Sequence, residues 1–355
     1  MTSALRTRLC DLLGCEYPIV QTGMGWVSGP ELTAATSAAG GFGILGAATM
    51  DLDDLGGAIK EVKARTDRPF GVNMRADQPD IGQRVDLLAE EGVRVASFAM
   101  APKEQLIRRL RDGGVAVIPS IGARRHAEKV AAIGVDAVLV QGGEGGGHTG
   151  PVPTSLLLPQ VVDTLRGSGI PVIAAGGYFD GRGLVAALAY GADGIAMGTR
   201  FLLTSDCTVP DAVKRFYLSK QVTDTVVTTR VDGVPHRVLR THLVDTLERG
   251  TGVRGLLRAL RSAAEFKRLS GTSWLRMLRE GRVMRRSQEL TWAQVLMAAN
   301  TPMLLRRAMV EGDTSAGVMA SGQVVGLIED LPSCKELVDR VVREAGETLA
   351  RLPGL

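Results

Sequence analysis

The first 200 residues alternate short apolar runs with amphipathic stretches, and this rhythm limits the folds open to the chain. The runs are apolar on both faces, as a parallel sheet buried on both sides requires. Eight such runs are predicted to be strands: Ile19–Met24, Phe42–Ala47, Phe70–Met74, Val93–Phe98, Val115–Ser120, Ala137–Gln141, Val172–Ala175 and Gly194–Met197.

Helical patterns separate these runs, which gives seven strand–helix units and a closing eighth strand. The predicted helices are Glu31–Ala39, Leu52–Arg65, Gln83–Glu91, Lys103–Asp112, Arg124–Ala132, Thr154–Arg166 and Gly183–Tyr190. Eight strands suit a closed barrel better than an open sheet, although an open doubly wound sheet remains an alternative. The sequence therefore predicts an α/β protein, a (β/α)8 TIM barrel with a mainly helical insertion after strand eight.

The strand–helix rhythm stops after the eighth strand. The stretch that follows has one strand-like piece, Thr225–Arg230, then a turn at Asp232-Gly233 and several helical segments. The amphipathic segment Ser333–Ala350 is expected to pack on the barrel exterior. We expect residues 1–204 and 320–355 to form the barrel, and residues 205–319 to form an insertion near its mouth.

Charge is distributed unevenly along the chain. The net charge is +4, but residues 230–286 hold fourteen Lys or Arg against five Asp or Glu, which gives +9 there and leaves −5 elsewhere. The weak overall charge does not indicate a nucleic-acid partner, and the segment lacks the interleaved aromatic residues of single-strand binders. The basic segment is either a solvated helical face or a surface that attracts an anionic ligand.

The sequence predicts a cytoplasmic protein without a membrane partner. No apolar run reaches the length of about 18 residues that a membrane helix needs. The first ten residues lack the apolar core of a secretory signal. The four cysteines form no ligand-like cluster, which is typical of reduced thiols and predicts no metal site.

Glycines follow the last two predicted strands. Strand seven runs into Gly176 and Gly177, and strand eight into Gly198 and Thr199. Bare backbone there lets N–H groups approach an anion, a following helix N-terminus would add a favourable dipole, and TIM barrels often hold a phosphate at this place. These glycines are predicted to bind phosphate; the alternative is a pair of tight turns without a ligand.

The loop after strand six has six glycines in ten residues, Gln141–Gly150. It also holds His148, the one histidine at the carboxyl end of a predicted strand. An imidazole exchanges protons near neutral pH, so His148 is the candidate catalytic residue, unless it only shapes the loop. His126 is interpreted as a surface residue, and no role is assigned to His236 or His242 in the insertion.

Other strand ends carry residues that suit a flat aromatic ligand. Gly23, Met24 and Gly25 follow strand one and would place backbone amides against a ring edge, although Met24 would also serve as core. Further candidates with polar side chains lie at strands three and five and in the late loop: Asn73, Ser120 and Gln323.

These motifs resemble those of the nitronate monooxygenase family. The likeness rests on the runs Gly145–Gly150, Ile173–Gly177, Met197–Phe201 and Ser321–Gln323, and it covers nearly the whole chain in order. The chain equally resembles the related FMN-dependent enoyl-acyl carrier protein reductases. A narrower likeness is to IpdC-type dehydrogenases, which act on CoA esters in steroid C- and D-ring degradation.

The resemblance implies a non-covalently bound FMN, with His148 as base or proton donor beside the flavin. The phosphate would lie on Gly176, Gly177, Gly198 and Thr199. The ring would lie against Gly23, Met24 and Gly25, with Asn73 and Gln323 near its edge. The remaining candidate cofactor-binding residues are Ser120, Gln141, Gly146 and Gly147.

Two reactions remain open at this level. One exchanges a hydride between flavin and an acyl-CoA, with NAD(H) or NADP(H) as a transient co-substrate; the other oxidises alkyl nitronates with oxygen. The basic segment favours the CoA thioester, because Arg and Lys attract its phosphates. A non-catalytic flavin or nucleotide sensor is the alternative of another class, and a homodimer through the C-terminal helix and insertion is a further expectation.

Overall fold

The structure is a computed structural model that describes residues 5–99, 102–249, 303–315 and 317–352. Eight parallel strands close into a barrel, in which each strand pairs with the next and the last pairs with the first. They are β1 (Ile19–Gln21), β2 (Phe42–Gly46), β3 (Gly71–Met74), β4 (Val95–Phe98), β5 (Ala116–Ile121), β6 (Val138–Gln141), β8 (Val172–Ala175) and β9 (Gly194–Met197). The predicted TIM barrel is confirmed, and the open-sheet alternative is wrong.

Helices cover the barrel, and their order matches the predicted order. Each lies between two strands in sequence and buries one apolar face, as Leu55, Ile59 and Val62 of α3 do. The set comprises α2 (Pro30–Ala38), α3 (Leu52–Arg65), α4 (Ile81–Glu90), α5 (Glu104–Asp112), α6 (Arg124–Ala132), α7 (Thr154–Thr164) and α8 (Gly181–Ala189).

A short helix that the sequence analysis did not predict, α1 (Arg8–Leu13), closes the amino-terminal end of the barrel. Its Leu9 and Leu13 are fully buried and pack with residues that fill the barrel interior, including Ile173 and Leu139. Gly14 ends α1 with a φ of 73°. Because α1 covers this end, we expect a ligand to enter the barrel at the carboxyl ends of the strands.

The C-terminal helix, Cys334–Ala350, packs on the barrel exterior against α8 and α2, as predicted. Ser333 and Glu336 form a capping box at its start, which satisfies two backbone donors. The helix approaches α8 closely, since a Cβ on Gly181 would collide with the backbone at Ala345.

A second sheet lies beside the barrel. It has three antiparallel strands in the order β10 (Thr225–Thr228), β11 (His236–Leu239) and β7 (Gly147–His148). The sequence analysis predicted the first of these as a strand-like piece and missed the other two. Because β7 belongs to the strand-six loop, this pairing joins residues 225–239 to the Gly-rich loop of the barrel.

The structure describes further helices between β9 and the C-terminal helix. These are α9 (Thr199–Leu202), α10 (Asp211–Leu218), α11 (His242–Arg249), a helix over 303–309 and a 3-10 helix, Gln323–Leu327. The basic stretch Arg254–Arg286 lies outside the described residues. None of the helices in the described ranges combines the length and apolarity that crossing a bilayer requires.

Candidate active site

The loops after β1, β3 and β9 meet at the carboxyl end of the barrel. A Cβ on Gly23 would collide with the side chain of Asn73, so the β1 loop lies directly on the end of β3. On the other side, a Cβ on Gly198 would lie 3.3 Å from the sulfur of Met24. The structure therefore brings Gly23, Met24, Asn73 and Gly198 into one rim, as the sequence predicted.

Gly176 and Gly177 follow β8 with φ values of 92° and 89°, a left-handed conformation that favours glycine. A Cβ on Gly176 would lie 3.0 Å from the carbonyl oxygen of Gly142, so this residue is packed against the strand-six loop. At Gly177 the nearest atom would be Cβ of Glu144 at 3.8 Å. Gly177 therefore faces room that a ligand can fill.

The start of α8 does not support the dipole part of the phosphate prediction. Gly183 N–H donates to Asp180 Oδ1 at 2.9 Å, and Gly181 N–H donates to Glu344 Oε2 at 3.0 Å. These carboxylates already occupy donors that an anion would need. The dipole of α8 therefore adds no support, and the phosphate site stays a prediction that depends on Gly176, Gly177, Gly198 and Thr199.

The late loop returns to this rim and completes it. Gly322 N–H donates to the hydroxyl oxygen of Thr199 at 3.0 Å, and Gln323 N–H donates to the carbonyl oxygen of Glu144 at 3.0 Å. A Cβ on Gly146 would lie 2.6 Å from Gly322 N, so no side chain fits between these segments. Thr199, Gly146 and Gln323 thus lie together although they are far apart in sequence.

Three further candidate cofactor residues, Ser120, Gln141 and Gly147, lie in β5, β6 and β7. The amide nitrogen of Gln141 donates to the carbonyl oxygen of His148 at 2.9 Å, so Gln141 shapes the loop that carries the imidazole. Ser120 lies in β5, in register with Leu139 of β6. Gly147 has a φ of 74° and space around its Cβ position. Their contact with a cofactor remains a prediction.

His148 lies in β7, opposite His236 of β11 in the antiparallel register. This pairing brings the two imidazoles together, with ring centroids 4.7 Å apart and ring planes tilted by 44°. Asp232, in the turn between β10 and β11, places Oδ2 2.6 Å from Nε2 of His148 and 3.3 Å from Nδ1 of His236. The side chain of His148 is 59% exposed, and that of Asp232 is 13% exposed.

Asp232 is held as a carboxylate. Burial by itself would raise its pKa, but hydrogen bonds from His148 and His236 outweigh burial and keep the pKa of the carboxyl well below its usual value. The pKa of Arg75 is raised by its hydrogen bond to Asp77 and further by the charge of Asp232. Since Arg75 directly follows β3, Asp232 and His148 lie within electrostatic range of the barrel mouth.

Sequence reasoning missed Asp232 and His236 as site residues. The Asp-Gly turn was visible, but it was interpreted only as a turn. The contact joins side chains 84 residues apart, so no local motif records it. His126, by contrast, is exposed on α6, as predicted.

The residues present fit a flavin phosphate and ring. Gly177 leaves an open place beside bare backbone, and the Gly23–Gly25 loop follows β1, which is separated from β8 by the single strand β9. Within the described part of the chain, Nε1 of Trp26 is buried without a hydrogen-bond partner. Trp26 also has a φ of 63°, which is rare for a bulky residue and clusters at ligand sites.

The chain is similar to several known proteins. A sequence model described as nitronate monooxygenase matches residues 6–84 and 81–344. A relative from Mycobacterium tuberculosis is 66% identical over 341 residues, which is 96% of each chain, and carries the name (3aS,4S,5R,7aS)-5-hydroxy-7a-methyl-1-oxo-octahydro-1H-indene-4-carboxyl-CoA dehydrogenase. A Rhodococcus jostii relative of the same name is 58% identical over 353 residues, or 99% of each chain.

A solved structure has the same architecture. FabK from Thermotoga maritima superimposes with a TM-score of 0.79 at 37% identity, covering 98% of this chain and 99% of its own.

Proposed function

We propose that this chain exchanges a hydride between a bound flavin and an acyl-CoA thioester. The chain belongs to the nitronate monooxygenase family and is an FMN-dependent oxidoreductase. The observation that carries the proposal is the placement of His148, a partly exposed imidazole beside the glycine-lined mouth of the barrel. Two relatives support the substrate class. They are 66% and 58% identical over nearly their full length, and both carry the name of a carboxyl-CoA dehydrogenase.

When bound, FMN supplies the hydride acceptor or donor, and the protein supplies position and proton transfer. Gly176, Gly177, Gly198 and Thr199 would hold the phosphate through backbone N–H groups and one hydroxyl. Gly23, Met24 and Gly25 would line one edge of the ring, with Asn73 and Gln323 near it. In this arrangement the substrate would lie on the His148 side of the ring.

His148 would handle the proton at the α-carbon of the thioester. In the dehydrogenation direction the imidazole takes that proton, the β-carbon loses a hydride, and a carbon–carbon double bond forms. In the reverse direction the imidazolium returns the proton to the α-carbon. A nicotinamide would carry the hydride between turnovers: NAD+ or NADP+ would accept it in the dehydrogenation direction, and NADH or NADPH would supply it in the reverse direction.

An anaerobic flavin-reduction screen tests this function. The purified yellow protein is mixed separately with NADH, NADPH, a series of saturated acyl-CoA esters and an alkyl nitronate, and bleaching of the flavin absorbance is followed. We expect rapid bleaching by a nicotinamide or a saturated acyl-CoA, and reoxidation of the reduced protein by an enoyl-CoA.

The screen also identifies the competing functions. Bleaching by the nitronate alone would replace the acyl-CoA proposal with nitronate oxidation, the reaction for which the family is named. Protein that stays colourless after incubation with FMN would contradict every flavin-dependent function.

A further inference from the structure

Asp232 is held from three sides in the connection between β10 and β11. Its Oδ1 accepts a hydrogen bond from the N–H of Val234 at 3.2 Å, while its Oδ2 faces Nε2 of His148 and Nδ1 of His236. Gly233 allows the tight turn with a φ of 86°. The carboxylate therefore has a fixed orientation before any substrate arrives.

The ionisation of Asp232 decides which nitrogen of His148 carries a proton. A carboxylate only accepts hydrogen bonds, so a ring nitrogen 2.6 Å away must be the protonated one. The neutral ring is then the Nε2–H tautomer. Nδ1 is left as the one ring nitrogen able to take a proton, and the imidazolium that forms faces a negative charge.

His236 contacts the same carboxylate from a buried position. It is 4% exposed and lies opposite His148 in the β7–β11 pairing. Since a carboxylate only accepts hydrogen bonds, Nδ1 of His236, which lies 3.3 Å from Oδ2 of Asp232, also carries a proton. His236 therefore donates to Asp232 and helps to hold the carboxylate opposite His148.

The same three groups offer ligand atoms within 4.8 Å of one another. A zinc ion bonds nitrogen and oxygen at about 2.0–2.2 Å, which in tetrahedral geometry separates two ligand atoms by roughly 3.3 Å. The 2.6 Å separation of His148 Nε2 and Asp232 Oδ2 is shorter than this and matches a charge-assisted hydrogen bond. The array is therefore interpreted as hydrogen-bonded.

We infer that Asp232 and His236 are positioning residues for His148, which hold its imidazole in the Nε2–H tautomer and keep Nδ1 free for proton transfer. The inference rests on the proposed function in one respect: it assigns His148 the substrate proton. The tautomer itself is a property of the protein alone and is measurable without turnover.

Nitrogen NMR of histidine side chains tests the tautomer directly. The chain has four histidines, so a protein labelled with ¹⁵N-histidine gives four ring spin systems. The spectra of His148→Ala and His236→Ala assign the two rings that matter. We expect the neutral His148 ring to be Nε2–H in the wild type and to lose this preference in both Asp232→Asn and Asp232→Ala.

Asp163→Asn, which changes an exposed carboxyl on α7, is the matched control and should leave the His148 signals in place. A His148 ring that is Nδ1–H in the wild type, or that keeps the same tautomer in both Asp232 variants, would overturn the inference. A stoichiometric metal ion in the purified protein, lost in Asp232→Ala, would do so as well.

Kinetics separate this inference from the proposed function. Asp232→Asn should lower kcat by about 10²-fold or more with little change in KM and with FMN retained, because the imidazole presents the wrong nitrogen. His236→Gln should lower kcat less. Full turnover in His148→Ala would remove the proposed proton role of His148 but leave the tautomer result valid. Full turnover in Asp232→Asn, with His148→Ala inactive, would overturn only the positioning role of Asp232.

Discussion

At Gly177 both the backbone conformation and the candidate phosphate site favour a residue without a side chain. Its φ of 89° favours glycine, and its Cβ position faces open space. Replacing Gly177 by Leu should weaken FMN binding by about tenfold or more, because a side chain would enter the phosphate position. Fluorescence titration of the deflavinated protein with FMN measures the change.

Gly167→Leu is the control for Gly177→Leu. Gly167 has a φ of 81° with nothing near its Cβ position, and it lies in the turn between α7 and β8. Both variants carry a similar conformational strain of about 1–2 kcal/mol. Equal FMN affinity in the two variants would contradict the phosphate site.

The imidazole of His148 is expected to act in proton transfer and to contribute little to FMN binding. His148→Ala should retain the flavin but slow substrate-dependent flavin reduction by about 10²-fold or more. Stopped-flow absorbance under anaerobic conditions measures the rate, and His126→Ala, on the exposed face of α6, is the matched control. An unchanged rate in His148→Ala would remove this residue from the reaction.

The depressed pKa of the Asp232 carboxyl predicts a pH-dependent contribution to stability. Burial opposes its ionisation, but the bonds from His148 and His236 lower the pKa below the unfolded value of about 3.9. The contribution is therefore complete above about pH 5 and is lost as the pH falls through the folded pKa. Urea unfolding of the wild type and Asp232→Asn should show a difference in unfolding free energy that shrinks below about pH 4; a difference constant down to pH 3 would contradict the shift.

At the scale of elements, the β10–β11 hairpin stabilises the Gly-rich loop of the barrel. Nε and Nη2 of Arg237 donate to the carbonyl oxygen of Gly143 at 3.1 and 2.8 Å, and Nη1 donates to Thr225 Oγ1 at 3.0 Å. From the other side, Ser321 N–H donates to the carbonyl oxygen of Arg237. The hairpin thus connects the strand-six loop to the late loop.

Arg237→Ala should therefore loosen the strand-six loop. Loss of these bonds is expected to cost about 1–3 kcal/mol of unfolding free energy and to speed hydrogen exchange in residues 141–150. Hydrogen-exchange mass spectrometry of the flavin-loaded protein measures this. Arg240→Ala, which changes an exposed arginine just after β11, is the control; equal exchange in both variants would mean that the hairpin does not stabilise the loop.

At the scale of the molecule, the uneven charge predicts how an anionic substrate is attracted. Residues 230–286 carry +9 against −5 for the remainder. Changing Arg276, Arg279, Arg282 and Arg285 together to Gln should raise KM for a CoA ester several-fold at low salt, and the effect should fade at high ionic strength. The reason is that CoA phosphates are attracted over distances that salt screens.

The control for this prediction removes the same charge elsewhere. Exposed arginines on α5 and α6 serve for it: Arg108, Arg111, Arg124 and Arg125. If both fourfold variants raise KM equally, net charge is responsible; if neither does, the basic segment is a solvated face.

The sequence by itself determined the barrel and most of its rim. Runs such as Val172–Ala175, apolar on both faces, have few stable arrangements other than a buried parallel sheet, and the glycines after them mark where backbone must stay bare. Both signals are local, so they are readable from spacing alone. The late loop was also predicted, although only the resemblance to a family gave it a role.

Tertiary structure alone decided what surrounds His148. Asp232 and His236 reach it because β11 pairs with a two-residue strand in the strand-six loop. The register of so short and Gly-rich a strand is only weakly specified by its own residues. Tertiary structure also decided that Glu344 of the C-terminal helix accepts the N–H of Gly181 at the start of α8, whereas the bond from Gly183 to Asp180 is a local cap. Contacts between distant segments form only when the whole chain has closed.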